Sequence, residues 1–131
     1  KAKTCLQGQT VAILSFGSLL DQATIAAKAL GASLFDMRFV KPIDEQCIID
    51  AANNHDLIVT LEENSIQGGA GSAVAECLAA NNLTTHLLQL GLPDAFIDHG
   101  GHNQLRADCG LNSQGIQTSI ENKLRIINAS L

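Results

Sequence analysis

The chain has 131 residues, a length typical of one domain with one hydrophobic core. Its formal net charge is −5 at pH 7, which argues against nucleic acid or an anionic membrane surface as a partner. Only 3% of the residues are aromatic, so the core must consist of Leu, Ile, Val and Ala. No apolar run approaches the roughly 20 residues that a membrane-spanning helix needs, and no secretory signal is present.

The first part of the chain predicts an alternation of strands and helices. Residues 1–9 are polar and read as a linker or a short edge strand around residues 4–6, and the domain proper is predicted at residues 10–131. The apolar run at 11–14 predicts a buried strand that ends at Phe16, Gly17 and Ser18. Ser18 is the expected N-cap of the next helix, with Asp21 completing an approximate capping box.

That helix is expected over residues 19–30, because Gly31 is a natural stop. A strand over residues 33–37 follows, with Arg38 and Lys41 at its exit. Asp44 is then expected to start a helix over residues 45–53 that buries Ile48 and Ile49.

The stretch from residue 56 to 80 carries the most information about a site. Its apolar run at 57–61 predicts a buried strand that is followed by polar residues, a glycine-rich loop and a helix capped by Ser72. Polar residues at the carboxyl ends of parallel strands are where sites usually form. The candidate residues of this crevice or interface are Gly17, Ser18, Glu62, Glu63, Asn64, Gly68, Gly69, Gly71 and Ser72.

The glycine-rich loop does not match the known phosphate-binding patterns. Starting from Gly69, the third position of G-x-G-x-x-G is Val74, and the G-K-[ST] ending of a P-loop is absent. The simpler interpretation is that the glycines allow a tight turn and a close backbone approach. Glu62 and Glu63 could form an acid/base pair, but neighbours on a strand point to opposite faces, so a catalytic dyad is not the favoured hypothesis.

The last part of the chain predicts a strand at 84–90, an irregular segment at 91–100, and helices at 104–109 and 114–127. His99 and His102 lie near two aspartates, but their spacing is not that of a zinc enzyme, so we predict no metal site. The four cysteines contain no C-x-x-C pair, and we expect all of them to be reduced in a cytoplasmic protein; they are Cys5, Cys47, Cys77 and Cys109.

The alternation of elements predicts an α/β fold: a three-layer α/β/α sandwich around a mainly parallel sheet. The chain starts at Lys1, and its single Met is Met37, so we expect a piece of a longer protein or a processed product.

Three segments together resemble one enzyme family. They read DMRFVKPID at 36–44, TLEEN with GGAGS at 60–72, and GLPD with FI at 91–97. Their order and their residues are similar to those of the C-terminal domain of 1-deoxy-D-xylulose-5-phosphate synthases, which are transketolase-like thiamine diphosphate enzymes. A later GLN with GI at 110–116 resembles the final G-L-D-x-x-G-I of that family, with Asn112 in place of the usual Asp.

The resemblance implies a five-stranded sheet in the order 1-3-2-4-5 with an antiparallel first strand. It also implies a parent enzyme, a homodimer, that uses thiamine diphosphate and Mg²⁺ to condense pyruvate with glyceraldehyde 3-phosphate for isoprenoid, thiamine and pyridoxal biosynthesis. The family's G-D-G metal motif and its pyrimidine-binding glutamate belong to the preceding domains. No catalytic, cofactor-binding or metal-binding residue is therefore carried over to this chain, which is expected to be inactive alone.

Three hypotheses stay open for this chain: a structural domain that packs on the other domains of a parent enzyme, a module that binds a small molecule, and a free-standing enzyme of unknown chemistry. The family resemblance favours the first. Under the family's strand order, the carboxyl ends of the strands at 11–15 and 57–61 would meet at a topological switch point. This edge could be a docking surface for the preceding domains of the same chain, which is the role we favour. Alternatively, the glycine-rich loop could serve a regulatory module that binds a small molecule.

Overall fold

The computed structural model describes residues 1–38, 42–65, 69–92 and 110–129, and only the backbone of residues 64, 65 and 92. Strands and helices alternate through most of this part. In chain order they are β1 (Lys3–Leu6), β2 (Val11–Phe16), α1 (Leu20–Leu30), β3 (Ser33–Asp36), α2 (Glu45–Asn54), β4 (Leu57–Ser65), α3 (Ala70–Ala80), β5 (His86–Leu92) and α4 (Ser113–Ala129).

The five strands form one sheet in the order β1-β3-β2-β4-β5. β1 runs antiparallel to β3, and the other three neighbouring pairs are parallel. This topology confirms both the mainly parallel sheet and the strand order that the family resemblance implies. The edge strand lies at Lys3–Leu6, whereas the predicted division of the chain at residue 10 stays a prediction.

Each face of the sheet is covered by a separate apolar core, because residues that alternate along β2 and β4 point to opposite sides. Helices α1 and α4 cover one face over Ile13 and Val59. Helices α2 and α3 cover the other over Leu14 and Ile58. The three-layer α/β/α sandwich is thus confirmed, and its core is aliphatic as the composition predicts.

Local sequence signals set several helix ends as predicted. α1 stops at Gly31, which has φ 65° and donates its N–H to the carbonyl of Ala27. The side chain of Asp44 caps α2 by accepting the N–H of Cys47 at 3.1 Å. The last helix buries Ile116 and Ile120 against the core.

The prediction for the start of α1 is wrong. Leu19 occupies the N-cap position and makes no side-chain capping bond. The hydroxyl of Ser18 instead donates to the carboxylate of Glu63, 45 residues along the chain. A long-range polar partner therefore replaces the local capping box that the sequence pattern indicates.

Other differences concern element bounds. β4 continues to Ser65, so Glu62 and Glu63 belong to the strand and not to a turn after it. They remain in the sheet because Glu62 still lies opposite Phe16 of β2 in register. The predicted helix at 104–109, together with Cys109, lies outside the described residues.

None of the three cysteines that the structure describes is paired in a disulfide, whereas their reduced state in solution stays a prediction. Cys5 is exposed, Cys47 is half-buried and Cys77 is buried, and all three are free thiols. Within the described ranges, no helix has both the length and the apolar character needed to cross a membrane.

Candidate functional site

The centre of the sheet is a topological switch point. β2 and β4 lie side by side in parallel, with Phe16 opposite Glu62. From β2 the chain crosses through α1 to β3 on one side, and from β4 it crosses through α3 to β5 on the other. The carboxyl ends of β2 and β4 therefore lie together at one edge of the sheet while their connections leave in opposite directions, and ligands or partners of such folds usually bind at this point.

Glu62 is buried at this edge, with 3% of its surface exposed. Its carboxylate accepts two backbone N–H groups from the first turn of α3, from Ala70 at 3.1 Å and from Gly71 at 2.7 Å. Strand parity explains this contact, because Glu62 shares the face of β4 with Ile58, which packs under α2 and α3. A strand residue thus satisfies two of the unpaired N–H groups at the start of this helix.

Opposing effects act on the ionisation of Glu62. Burial is the largest of them, and it raises the pKa of this carboxyl above its ordinary value. The hydrogen bonds from Gly71 and Ala70 stabilise the charged form and offset part of that rise. The carboxyl therefore accepts a proton more readily than an exposed glutamate does.

The predicted cap of α3 is wrong in the same way as that of α1. Ser72 lies inside the helix, and the N-cap residue is Gly69, which has no side chain that could cap the helix. Gly71 has a packing role, because a Cβ there would lie 2.6 Å from Gln89 Oε1 and 2.9 Å from Thr60 Oγ1. At Gly71, the glycine permits a close approach of helix and sheet, as the simpler interpretation predicts.

Glu63 points to the opposite face of the sheet and is half-buried. It accepts the hydroxyl of Ser18, which lies just before α1 and follows Gly17 with its φ of 93°. Glu62 and Glu63 therefore have separate partners on separate faces. The arrangement does not form the adjacent acid/base pair that was the alternative for these two carboxylates.

The structure thus brings seven of the nine candidate residues to this edge or to the first turn of α3 that borders it. Two lie beyond what can be described here: Gly68 falls outside the described residues, and only the backbone of Asn64 is described. His99, His102 and the GLPD segment also fall outside, apart from Gly91 and Leu92 at the end of β5.

Two buried polar atoms at this edge were not singled out from the sequence. Thr60 Oγ1 and Gln89 Oε1 lie beneath Gly71 and have no hydrogen-bond partner among the residues that the structure describes. A polar residue inside an apolar strand is the signal that marks both positions. Arg38, just beyond β3, is a further residue of interest because its φ is 60°.

The chemistry of this edge does not suit a diphosphate. The start of α3 would be the natural anion site, but the Glu62 carboxylate already accepts two of its N–H groups, those of Ala70 and Gly71. No group of three or more His, Cys, Asp and Glu side chains that could hold a metal ion occurs among the described residues. The residues described here do not fit thiamine diphosphate or its metal ion.

Comparison with known proteins places this geometry in a family. The sequence profile described as "Transketolase, C-terminal domain" matches residues 1–116. The chain is 50% identical over 121 residues to a 1-deoxy-D-xylulose-5-phosphate synthase of Pseudomonas syringae pv. syringae, covering 92% of this chain and 19% of that protein. It is 54% identical over 118 residues to the synthase of Methylobacillus flagellatus, covering 90% of this chain and 19% of that protein.

A solved structure shares the fold. A chain titled "Split gene transketolase, inactive beta4 tetramer" superposes with a TM-score of 0.85 at 29% identity, covering 93% of this chain and 41% of that one. The present chain spans about one fifth of the length of the synthases that it matches. On the profile match and the shared topology, the chain belongs to the transketolase C-terminal domain family.

Proposed function

We propose that this chain is the C-terminal domain of a 1-deoxy-D-xylulose-5-phosphate synthase. The observation that carries the proposal is its identity of 47–54% to synthases of that name over 90–96% of its length. The parent would be a thiamine diphosphate- and Mg²⁺-dependent transferase that joins pyruvate to glyceraldehyde 3-phosphate with loss of carbon dioxide. We further propose a cytoplasmic homodimer that supplies isoprenoid, thiamine and pyridoxal biosynthesis.

Under this proposal, the chemistry is carried out in the domains that precede this chain. Two features of the chain support that division. Glu62 accepts the N–H groups of α3 that a diphosphate would need, and the sequence contains no Gly-Asp-Gly. The 131-residue chain alone would therefore neither bind the cofactor nor decarboxylate pyruvate.

The activity is tested with the full-length protein that carries this sequence. Purified protein supplied with pyruvate, glyceraldehyde 3-phosphate, thiamine diphosphate and Mg²⁺ should form 1-deoxy-D-xylulose 5-phosphate. Omission of either substrate should abolish product formation. A full-length protein that is folded and binds the cofactor, yet forms no such product, would contradict the proposed activity.

For the domain's own role, we propose docking of the carboxyl edge onto a preceding domain. Ser18 is exposed and Glu63 is half-buried, so their hydrogen-bonded pair forms a fixed polar feature at this edge. Glu62 has an internal role, because its carboxylate is buried against α3. The regulatory alternative finds less support, since the start of α3 is already filled by a carboxylate of the chain itself.

Docking is tested by combining Ser18→Ala and Glu63→Gln in the full-length enzyme. We expect earlier thermal inactivation with Michaelis constants close to those of the wild type, because the substrates bind elsewhere. Glu121→Gln, at an exposed position on α4, is the matched control. Unchanged thermal inactivation together with a sharply raised Michaelis constant for pyruvate would assign this edge to the active site instead.

A further inference from the structure

Arg38 has a backbone conformation that its own side chain disfavours. Its φ is 60°, in the left-handed region that glycine and asparagine adopt far more readily than residues with long side chains. The sequence nevertheless has an arginine at this position, which costs backbone strain. Positions where a sequence breaks a local rule in this way are often functional sites.

The neighbouring Asp36 explains how the turn is held but not why an arginine is needed. Asp36 Oδ1 accepts the backbone N–H of Arg38 at 3.1 Å, a bond that any residue other than proline could donate. The side chains meet only at Nε, 3.9 Å from Asp36 Oδ2. Within the described part of the chain, the two terminal amino groups of the guanidinium have no hydrogen bond, and 49% of the side chain is exposed.

Register places Arg38 at the same edge as Ser18 and Glu63. Asp36 lies opposite Ser15 of β2, and the N–H of Met37 still donates to the Ser15 carbonyl at 2.9 Å. Arg38 therefore leaves the sheet beside the segment that contains Ser18. On its other side, β1 places Lys3 opposite Asp36, so the described residues of this corner carry two cations and one carboxylate.

This local charge is opposite to that of the chain as a whole, whose formal net charge is −5. A planar guanidinium with both terminal amino groups available suits bidentate binding of a carboxylate. We propose that Arg38 binds a carboxylate side chain of a preceding domain and so fixes how this domain docks. The inference rests on the proposed docking function and names the chemistry of its partner.

The test uses the full-length protein with Arg38→Gly, Arg38→Lys and the control Lys28→Ala, which removes an exposed cation on α1. Limited proteolysis between this domain and the preceding one reports docking. We expect Arg38→Gly to be cleaved at least about tenfold faster, as for loss of a bidentate charge pair, with Arg38→Lys between it and the wild type. The control should match the wild type, and high salt should bring the wild type towards the Arg38→Gly rate.

Glycine also separates docking from folding, because it relieves the left-handed strain at this position. Arg38→Gly should therefore keep the far-UV circular dichroism spectrum of the wild type while its docking is lost. Cleavage of Arg38→Gly at the wild-type rate would overturn the inference. If Ser18→Ala with Glu63→Gln still loosened the domain in that case, docking would stand and only the role of Arg38 would fall.

Discussion

Removing the Glu62 carboxylate should destabilise the domain more than any other single change at this edge. In Glu62→Ala, the N–H groups of Ala70 and Gly71 lose the buried carboxylate that accepts them. An unsatisfied buried donor costs about 1–3 kcal/mol. Because truncation lets some water reach the helix end, we expect a total loss of about 2–4 kcal/mol in the free energy of unfolding.

Glu62→Gln separates hydrogen bonding from charge. Glutamine keeps one carbonyl oxygen for one of the two N–H groups, and it avoids the cost of burying an ion. We therefore expect a smaller loss than in Glu62→Ala, of about 1–2 kcal/mol at neutral pH.

The same residue should make stability depend on pH. Burial raises the pKa of Glu62 in the folded chain, so between its ordinary pKa and the raised one the folded chain holds a proton that the unfolded chain has released. The contribution of Glu62 is fully present below the ordinary pKa and is lost as the pH rises through the raised one. Glu62→Gln should remove this part of the pH dependence.

Urea denaturation followed by far-UV circular dichroism is the suitable assay, since the chain lacks Trp and Tyr. Glu76, exposed on the same helix α3, provides the matched controls Glu76→Ala and Glu76→Gln. A loss of stability in Glu62→Ala no larger than that in Glu76→Ala would refute this role of the Glu62 carboxylate. A larger loss of stability in Glu62→Gln than in Glu62→Ala would refute it as well.

Two further predictions concern packing and thiol reactivity. Gly8→Ala should cost more stability than Gly31→Ala, because a Cβ at Gly8 would lie 2.2 Å from the backbone oxygen of Gly31. A Cβ at Gly31 would meet no atom, so the substitution there is penalised only by the φ of 65°. Equal urea midpoints for the two variants would contradict this prediction. Iodoacetamide at pH 8 should label exposed Cys5 well before Cys47 and Cys77, because burial raises the pKa of Cys47 to about 11 and also raises that of buried Cys77. Mass spectrometry of the peptides measures the order, and equally fast labelling of Cys47 would show the thiol to be more accessible than the structure indicates.

The sequence predicts the layers of this fold well, because burial produces clear local patterns. The apolar runs that became β2 and β4 are continuous, as expected for strands covered on both faces. Asp44 and Gly31 determine helix ends through contacts with residues three or four positions away in the chain. A local sequence rule is therefore enough to find them. The strand order came from the family resemblance, since no pattern within the chain encodes it.

The site could be predicted only in part, because its polar contacts join distant residues. Ser18 looks like a local cap, yet its partner Glu63 lies on another strand. Ser72 looks like the cap of α3, yet that helix receives its acceptor from Glu62, which is inside β4. Local capping patterns compete with such long-range partners, and tertiary packing decides between them.

Titration calorimetry with thiamine diphosphate and Mg²⁺ tests most directly whether the cofactor chemistry lies outside this chain, as proposed. The full-length protein should bind the cofactor saturably. The 131-residue chain should give no saturable heat, because the Glu62 carboxylate already accepts the N–H groups at the start of α3. Saturable binding to the 131-residue chain at micromolar concentrations would contradict the account.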